Sequence, residues 1–542
     1  MPVGESFSER CTARHAQDGS EMGNSLSLKV QHSSALVFIF FIAVVSHFPL
    51  VAANDQFKRA TCAAYVTKEY QDPNGTRWDS SIISSVANIS EPVLTLYGCK
   101  KLCGSGTGWY PDSGPRLVGW FLPIFLLVSN MQFPRVEQER FFLILHLFGD
   151  PIDSTWSLLH KVDSWRQCYA LARGLLAKEA AEADIKCLAI IFATRIEIED
   201  ASYHELEQMN IDNMASIRTT ANELIRQRMN ETMRTGFAVA MYMFQVVSDF
   251  VPAVGASSDP SGGMIGPAML LSWLVPVVLL SNAIGDSGAP ASTLEIVAKF
   301  MAYKEDSIKA VNSRFSLRLF GIPWKGWKSE VPRDGSLVWS GALSSYHPQK
   351  GLHNGGWILA MASVLPVVLA FGIGFAVLQA GPTHFSCRSL FVIGASAGWG
   401  FSTILTYLLT RNCVQSRLAT GAYLWRVVLI KDFLVATPIL VLIVLTSCGY
   451  WNTCYCWCGG PVSGENAVCP LNPTNVFSFN DKKWYPAIVA IGLGFQVLIF
   501  LSVLGLERHG FMTMGHGFAF FDWSMPLWRK MAKIHRYIST KL

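Results

Sequence analysis

Two long stretches without a charged residue constrain the fold of this chain more than any other feature. Residues 433–449 and 484–506 contain no Asp, Glu, Lys or Arg. A helix that crosses the roughly 30 Å hydrocarbon core of a bilayer needs about 17–25 apolar residues. Both stretches reach that length, so the sequence predicts a transmembrane helix at each of them.

The segment between these two stretches is rich in cysteine. Cys454, Cys456 and Cys458 alternate along the chain, and Cys469 follows. Disulfides form and persist mainly in oxidising compartments such as the secretory lumen and the cell exterior. The segment 450–483 is therefore predicted to lie on the luminal or extracellular side of the membrane.

The composition excludes several classes of protein. Of the 542 residues, 51% are hydrophobic and 15% are charged, whereas soluble domains usually carry about 25% charged residues. A net charge of +5 is too small to predict binding to nucleic acid. The expected partner is the lipid bilayer, and no cofactor is expected. No nucleophile–base pair or set of four metal ligands emerges, so an enzyme is the least expected class.

The N-terminal part of the chain carries secretory signals. An apolar core followed by small residues predicts a signal peptide over 1–53, or a signal anchor if the segment is not cleaved. Residues 54–116 then form a short luminal or extracellular segment. Two sequons in this segment make Asn74 and Asn88 candidate glycosylation sites.

Five further apolar stretches bring the predicted number of crossings to seven. The expected fold is an all-α membrane protein with its N-terminus outside, its C-terminus cytosolic, a small disulfide-stapled outer cap and a helical cytosolic domain. The remaining predicted segments are a crossing at 117–134, the cytosolic helical domain at 135–234, a two-helix hairpin at 236–285, a basic cytosolic loop at 286–355, two crossings at 356–410, a second basic loop at 411–432 and a basic, aromatic tail at 507–542.

The distribution of positive charge tests this topology independently of the cysteines. Short cytosolic loops of membrane proteins carry an excess of Lys and Arg. The predicted outer loops at 255–263, 381–388 and 450–483 hold none, one and two such residues, whereas the predicted inner loops at 286–355 and 411–432 hold nine and four. The charge pattern and the cysteine pattern therefore predict the same orientation.

The cysteines on the predicted outer side are candidates for disulfides. Their pairing cannot be deduced from the sequence. For the alternating trio beginning at Cys454, the alternative is metal binding, because thiolates select soft ions such as Cu(I). The eight candidates are Cys62, Cys99, Cys103, Cys387, Cys454, Cys456, Cys458 and Cys469.

Two carboxylates lie close together at the start of the predicted cytosolic domain. Asp150 and Asp153 have a spacing that also occurs in acid–base sites. The following proline and helical pattern favour a turn at Asp150 and a helix N-cap at Asp153. The central portions of the seven predicted crossings contain essentially no ionisable residue, which argues against a transporter coupled to an ion.

Two resemblances follow from these features. The seven-helix plan resembles that of seven-helix receptors, but in topology alone, because their Asp/Glu-Arg-Tyr motif is absent. The motifs Cys99-x-x-x-Cys103-Gly and Gly149-Asp-Pro-Ile-Asp-Ser-Thr-Trp156, with the long helical first inner loop, are similar to those of multi-pass membrane proteins of filamentous fungi that have no established activity. This second resemblance implies a membrane location and no particular reaction.

The function expected from the sequence is that of a receptor-like or sensor-like membrane protein. In this hypothesis the outer cap meets a ligand, and the helices of 135–234 bind a cytosolic protein partner. The alternative is a transporter or channel for a neutral solute. The expected location is a membrane of the secretory pathway or the plasma membrane.

Overall fold

The structure, a computed structural model, is mostly helical, as the sequence predicts. The predicted signal peptide, the C-terminal tail, Cys62, Asn74 and Asn88 lie outside the residues that it describes. The described residues are 57, 83–85, 93–110, 113–129, 131, 137–176, 180–199, 206–207, 214–229, 235–244, 246, 265–287, 290–302, 356–379, 385–416, 421–470 and 478–506.

The elements are numbered here in chain order. The helices are α1 (Leu96–Cys103), α2 (Ser113–Ser129), α3 (Glu137–Gly149), α4 (Pro151–Leu175), α5 (Glu182–Glu199), α6 (Met214–Gln227), α7 (Thr235–Phe244), α8 (Ile265–Leu270), α9 (Leu274–Ile284), α10 (Pro290–Ala302), α11 (Gly356–Gln379), α12 (Cys387–Ser416), α13 (Gly421–Cys448), α14 (Cys454–Trp457), α15 (Gly460–Ser463) and α16 (Ser478–Leu506). The strands are β1 (Ile83–Ser85), β2 (Val93–Thr95), β3 (Arg228–Met229), β4 (Asp286–Ser287) and β5 (Val468–Pro470).

Four helices are long and apolar enough to cross a membrane, and they coincide with the last four predicted crossings. Outward-facing side chains such as Phe401, Leu434 and Ile491 are more than half exposed. A helix that is hydrophobic on all sides is typical of a membrane span. The candidate spans are Leu359–Leu378 in α11, Cys387–Leu409 in α12, Val427–Cys448 in α13 and Ala487–Gly505 in α16.

The three earlier predicted crossings are shorter helices within the described residues. Helix α2 has 17 residues and contains Pro123. Helix α7 is a short apolar helix. The third is divided into α8 and α9 by a turn at 271–273. The count of seven crossings therefore stays a prediction.

The cap at one end of α12 and α13 is built from distant parts of the chain. Strands β1, β2 and β5 form an antiparallel sheet in that order. The buried side chains of Phe57, Leu94 and Trp457 belong to the hydrophobic cluster that also holds five cysteines. The Tyr110 amide donates to the Cys448 carbonyl at 3.0 Å, so the cap is in direct contact with the end of α13.

Helices α4, α5, α6 and α10 pack together, and α4 also packs against α11. Strand β3 pairs with β4, which brings 228–229 next to 286–287. Arg218 of α6 forms an ion pair with Asp184 of α5, with Nη2 and Oδ2 at 2.9 Å. The described residues between 137 and 229 are mostly helical, and α4 joins this group of helices to the candidate spans.

Candidate functional site: a buried ionic cluster

The junction between α3 and α4 is the first component of the site. Helix α3 ends at Gly149 and α4 begins at Pro151, so Asp150 alone separates them. The Asp150 carboxylate accepts a hydrogen bond from the Asp153 amide at 3.1 Å, as an N-cap does. The sequence-based assignment of Asp153 as the N-cap is wrong. Pro151 occupies the first position of α4, so the cap is the residue directly before it, Asp150.

The second component is a pair of charged residues inside a candidate span. Helix α13 begins at Gly421, twelve residues before the predicted crossing at 433–449. Lys431 and Asp432 therefore lie within the candidate span Val427–Cys448, and both are buried. Both residues are predicted to lie in the basic loop 411–432, directly before the crossing at 433–449. Apolar residues on both sides of the pair, at 427–430 and 433–435, were the available signal.

These two components meet in one cluster, which we call the ionic cluster: His146, Asp150, Asp153, Lys431 and Asp432. The Lys431 Nζ atom lies 2.9 Å from Asp150 Oδ2 and 2.7 Å from Asp432 Oδ1. Asp150 is fully buried. A buried carboxylate requires a paired cation and hydrogen bonds to offset its lost hydration, and Lys431 provides the cation.

Hydroxyl groups of α12 complete the surroundings of Asp150 and Lys431. Thr403 Oγ1 donates to Asp150 Oδ1 at 2.6 Å, and Thr406 Oγ1 donates to Asp150 Oδ2 at 2.7 Å. The Lys431 ammonium donates to Ser402 Oγ at 2.6 Å. The spacing 402, 403 and 406 places these groups on one side of the helix. The ionic cluster and these hydroxyl groups together join α3, α4, α12 and α13.

His146 lies between the carboxylates of Asp153 and Asp432 and contacts both. Its Nδ1 atom lies 2.7 Å from Asp432 Oδ2, and its Nε2 atom lies 3.3 Å from Asp153 Oδ2. His146 belongs to α3, outside the candidate spans. Burial acts to lower the pKa of His146, but Asp432 and Asp153 outweigh it and raise the pKa to about 10. The imidazole is therefore cationic at neutral pH.

Asp153 is the carboxylate of the ionic cluster with the fewest contacts to positive charges and hydrogen-bond donors among the described residues. Its carboxylate is fully buried, and neither oxygen accepts a hydrogen bond from the described residues. Its ion-pair contact is the 3.3 Å approach of His146. Burial raises the pKa of Asp153. Among the described residues, three carboxylates face one lysine and one histidine, so these five groups carry one surplus negative charge when all are ionised.

The close approach of α3 to α13 depends on a glycine. A Cβ atom at Gly149 would lie 2.7 Å from the Asp432 Cα atom. Such a distance is too short for carbon atoms, because optimal contact is about 3.5–4.0 Å. Gly149 therefore allows the α3–α4 junction to reach the backbone of α13 beside the charged pair.

The ionic cluster lies far from the cap along both helices. Asp432 is 16 residues from Cys448 in α13, and Thr403 is 16 residues from Cys387 in α12. At 1.5 Å per residue, each separation is about 24 Å. The candidate span of α13 extends only five residues beyond Asp432, to Val427. The cluster is therefore inside the apolar length of the helices, near the end that is opposite the cap.

The turn between α8 and α9 contacts the α3–α4 junction beside the ionic cluster. The Trp273 ring, in the turn between α8 and α9, lies edge-to-face with Phe148 at 6.2 Å and with Trp399 at 5.8 Å between centroids. The Trp399 indole donates to the Phe148 carbonyl at 2.8 Å. In the same turn, Ser272 Oγ lies 3.3 Å from Nε2 of the buried Gln496 of α16.

A narrow apolar crevice lies between α4, α9, α11 and α16. Its free volume is about 10 Å³, which is about the minimum that holds one water molecule. Thr155, two residues beyond Asp153, lies at its wall. The other lining residues are apolar: Leu159, Pro276, Leu280, Ala362, Pro366, Ile499, Phe500 and Val503.

The cap brings most of the predicted disulfide candidates together. Cys99 is bonded to Cys454, and Cys387 is bonded to Cys456. Cys103 also takes part in a disulfide. Because Cys454 and Cys456 are joined to different segments, the alternating trio does not present three thiolates to a metal. The remaining described candidates, Cys458 and Cys469, are thiols.

Comparison of the chain with protein-family models, curated proteins and solved structures finds no match. The ionic cluster joins residues that are far apart in the chain. Sequence reasoning placed its members in separate predicted segments and treated Asp150 and Asp153 as a turn and a cap. Only the packing of α3 and α4 against α12 and α13 brings the five charged side chains together.

Proposed function

We propose that this chain is a membrane transporter whose cycle is coupled to a proton, and that Asp153 takes up this proton. The observation that carries the proposal is the fully buried Asp153 carboxylate, in a cluster with one more carboxylate than cation. Protonation of one carboxylate makes the cluster electrically neutral. The cluster also includes Lys431 and Asp432 of a candidate span, and ionisable groups within membrane helices are costly and usually mark ion pathways or proton relays.

The two helix breaks support the same proposal. Substrate and ion sites of secondary transporters are commonly formed where interrupted helices meet inside the membrane. The α3–α4 junction and the α8–α9 turn meet at the contact between Phe148 and Trp273. Helices α4 and α9 continue from these breaks and both contribute to the apolar crevice. A change of charge at Asp153 could therefore be transmitted directly to the crevice walls.

The lining of the crevice favours a small uncharged solute. Its side chains are apolar except for Thr155, and a charged solute would lack a partner there. In this conformation the crevice is too narrow for a solute larger than water. Transport therefore requires α4 to move relative to α9, α11 and α16, and protonation of Asp153 is the proposed trigger.

The test is a transport assay with the purified full chain in proteoliposomes. A panel of labelled neutral solutes, such as sugars, polyols and urea, is offered with and without a pH gradient. We expect the gradient to drive accumulation of at least one solute. Asp153→Asn mimics the protonated carboxyl group, so it should abolish gradient-driven accumulation, even where downhill flux remains.

Asp184→Asn is the matched control, because Asp184 is paired with Arg218 away from the cluster. This variant should accumulate solute as the wild type does. Accumulation that is unchanged in Asp153→Asn would contradict the role of Asp153. A wild-type chain that accumulates no panel member under any gradient would count against transport as the function.

We also propose the seven-crossing topology, with the cap outside and 135–234 and the tail on the cytosolic side, where α3 and the start of α4 reach into the ends of α12 and α13. Two disulfides in the cap support an oxidising environment for that end. The test is a map of glycosylation at Asn74 and Asn88, combined with protease accessibility of tags placed in 135–234, 450–483 and the tail. Luminal tags in 135–234 or the tail would contradict this topology.

A receptor-like or sensor-like protein is the second candidate. The observation that favours it is the direct link from α4 through Asp150 to Lys431, because it connects the helices of 135–234 to a candidate span. Crosslinking with the full chain as bait tests this candidate. It requires a cytosolic complex that depends on 135–234, and the absence of such a complex counts against it.

A further inference from the structure

The cysteine thiols that remain in the cap lie next to an existing disulfide. The sulfur atoms of Cys99, Cys458 and Cys469 are all within 4.8 Å of one another. Cys99 is already bonded to Cys454, whereas Cys458 forms a hydrogen bond with Cys469. Both thiols are buried, at 5% and 2% exposure, in the hydrophobic cluster of the cap.

The alternating segment 454–458 already connects two other parts of the chain. Cys454 links it to α1 through Cys99, and Cys456 links it to the start of α12 through Cys387. The third cysteine of the alternation, Cys458, lies beside Cys469 of β5. Each cysteine of the segment therefore faces a cysteine from a different element.

We propose that Cys458 and Cys469 form a further disulfide of the cap, so that the segment 454–458 is covalently joined to α1, α12 and β5. This bond anchors the edge strand of the cap sheet. In the described structure β5 is attached to β2 by strand pairing, and the Leu96 amide donates to the Ala467 carbonyl at 3.1 Å.

The bond forms by thiol–disulfide exchange. A thiolate of the pair attacks an external disulfide carrier of an oxidising compartment and forms a mixed disulfide. The second cysteine then displaces the carrier, which leaves as a dithiol. Two S–H bonds are lost and one S–S bond is made, while the carrier takes up both electrons and both protons. Exchange with Cys99 alone would only move an existing bond, so an external oxidant is required.

Burial decides when this reaction occurs. Both sulfurs are shielded in the folded cap, and the hydrogen bond to Cys469 raises the pKa of the Cys458 thiol, with burial adding to the effect. A neutral, buried thiol is a poor nucleophile. The carrier must therefore react before β5 pairs with β2 and the cap closes.

The test is disulfide mapping of the full chain, purified from a secretory expression host without reductant. Thiols are blocked with N-ethylmaleimide in denaturant before digestion. Chymotrypsin can cleave after Tyr455 and Trp457, and glutamyl endopeptidase can cleave after Glu465, so the relevant cysteines fall on separate peptides. We expect a linked pair of peptides that contain Cys458 and Cys469.

Controls make the result decisive. Cys187, a thiol in α5, should be fully labelled in the same sample. In Cys458→Ser, Cys469 should change from unlabelled to labelled, whereas in Cys187→Ser it should stay unlabelled. Wild-type labelling at both Cys458 and Cys469, a bond from either one to another cysteine, or labelling that appears only after a chelator is added would each overturn the proposal.

Discussion

Helices α12 and α13 are joined to other parts of the chain at two places, by different kinds of interaction. Near Cys387 and Cys448 the cap is held by disulfides and buried apolar side chains. About 24 Å along the same helices, the ionic cluster holds α3 and α4 by charge and hydrogen bonds. A disulfide restricts the unfolded chain and is indifferent to protonation. A buried ion pair depends on the protonation state and exact pairing of its members.

This difference indicates which end of the molecule can change its conformation. In the cap, the disulfides keep the segments that they join together unless those covalent bonds break. The ionic cluster can rearrange when one proton is gained or lost, because its stability depends on the balance between three carboxylates and two cations. We therefore expect any conformational change to occur around the cluster, while the cap serves as the fixed end.

The largest expected effect is the loss of the lysine. In Lys431→Met, Asp150 and Asp432 stay buried without their cation, and removal of one partner of a buried ion pair costs about 3–5 kcal/mol. The measurement is the free energy of unfolding in detergent, followed by tryptophan fluorescence. Lys299→Met, which removes an exposed i,i+4 pair with Glu295, is the control and should cost about 0.2–0.5 kcal/mol.

A second variant tests whether the cost comes from the uncompensated charge. Adding Asp150→Asn to Lys431→Met removes one of the two buried carboxylates that have lost their cation, so part of the lost free energy of unfolding should return. If the free energy of unfolding of the double variant is instead lower than that of Lys431→Met, the destabilisation arises from lost packing and not from charge.

The next largest effect is expected at the cap. Replacement of Cys387 and Cys456 by serine removes one disulfide, which should lower the free energy of unfolding by about 2–4 kcal/mol. The loss should be the same from pH 6 to pH 8. Cys187→Ser should change stability by less than about 0.5 kcal/mol. A loss that varies strongly with pH would contradict the distinction between the two kinds of interaction.

Gly149→Ala tests the contact between the α3–α4 junction and α13. The added methyl group would overlap the Asp432 backbone, and overpacking of this kind costs about 1–3 kcal/mol. Gly174→Ala in α4 is the matched control, because a Cβ atom there meets nothing within 4 Å. The control should be neutral or slightly stabilising. Equal effects at the two positions would show that the junction is not tightly packed.

The smallest effect is a dependence of stability on pH. His146 has a pKa of about 10 in the folded protein, against an ordinary value of 6.5. The protonated imidazole therefore contributes fully to the free energy of unfolding below pH 6.5. This contribution is lost as the pH rises toward 10, by at most about 1.4 kcal/mol per pH unit. Unfolding measurements at pH 7 and pH 8 should show this loss in the wild type and not in His146→Gln.

The sequence predicts the class of this protein well, because class depends on composition along the chain. Apolar stretches of membrane length occur at 356–410, 433–449 and 484–506, and helices of sufficient length and apolarity are found there. In the cysteine-rich segment 450–483, Cys454 and Cys456 lie at disulfide distance from Cys99 and Cys387. The apolar stretches and the cysteine-rich segment are local features, so they can be recognised without knowledge of distant contacts.

The ionic cluster could not be predicted in the same way. His146, Asp150 and Asp153 are separated from Lys431 and Asp432 by about 280 residues, and each group has an ordinary local interpretation as a helix cap or a basic loop. The choice between these interpretations depends on which helix faces which. That choice is made by the close approach at Gly149 and by the hydroxyl groups of α12.

By itself, then, the sequence determined that the chain is mostly helical and has stretches long and apolar enough to cross a membrane. Tertiary structure alone decided which cysteines pair, where the helices break, and which charges are buried together. The physical reason is the range of the interactions. Hydrophobic length and helix propensity act within one segment, whereas disulfide pairing and charge compensation depend on distances between segments that only the packed fold sets.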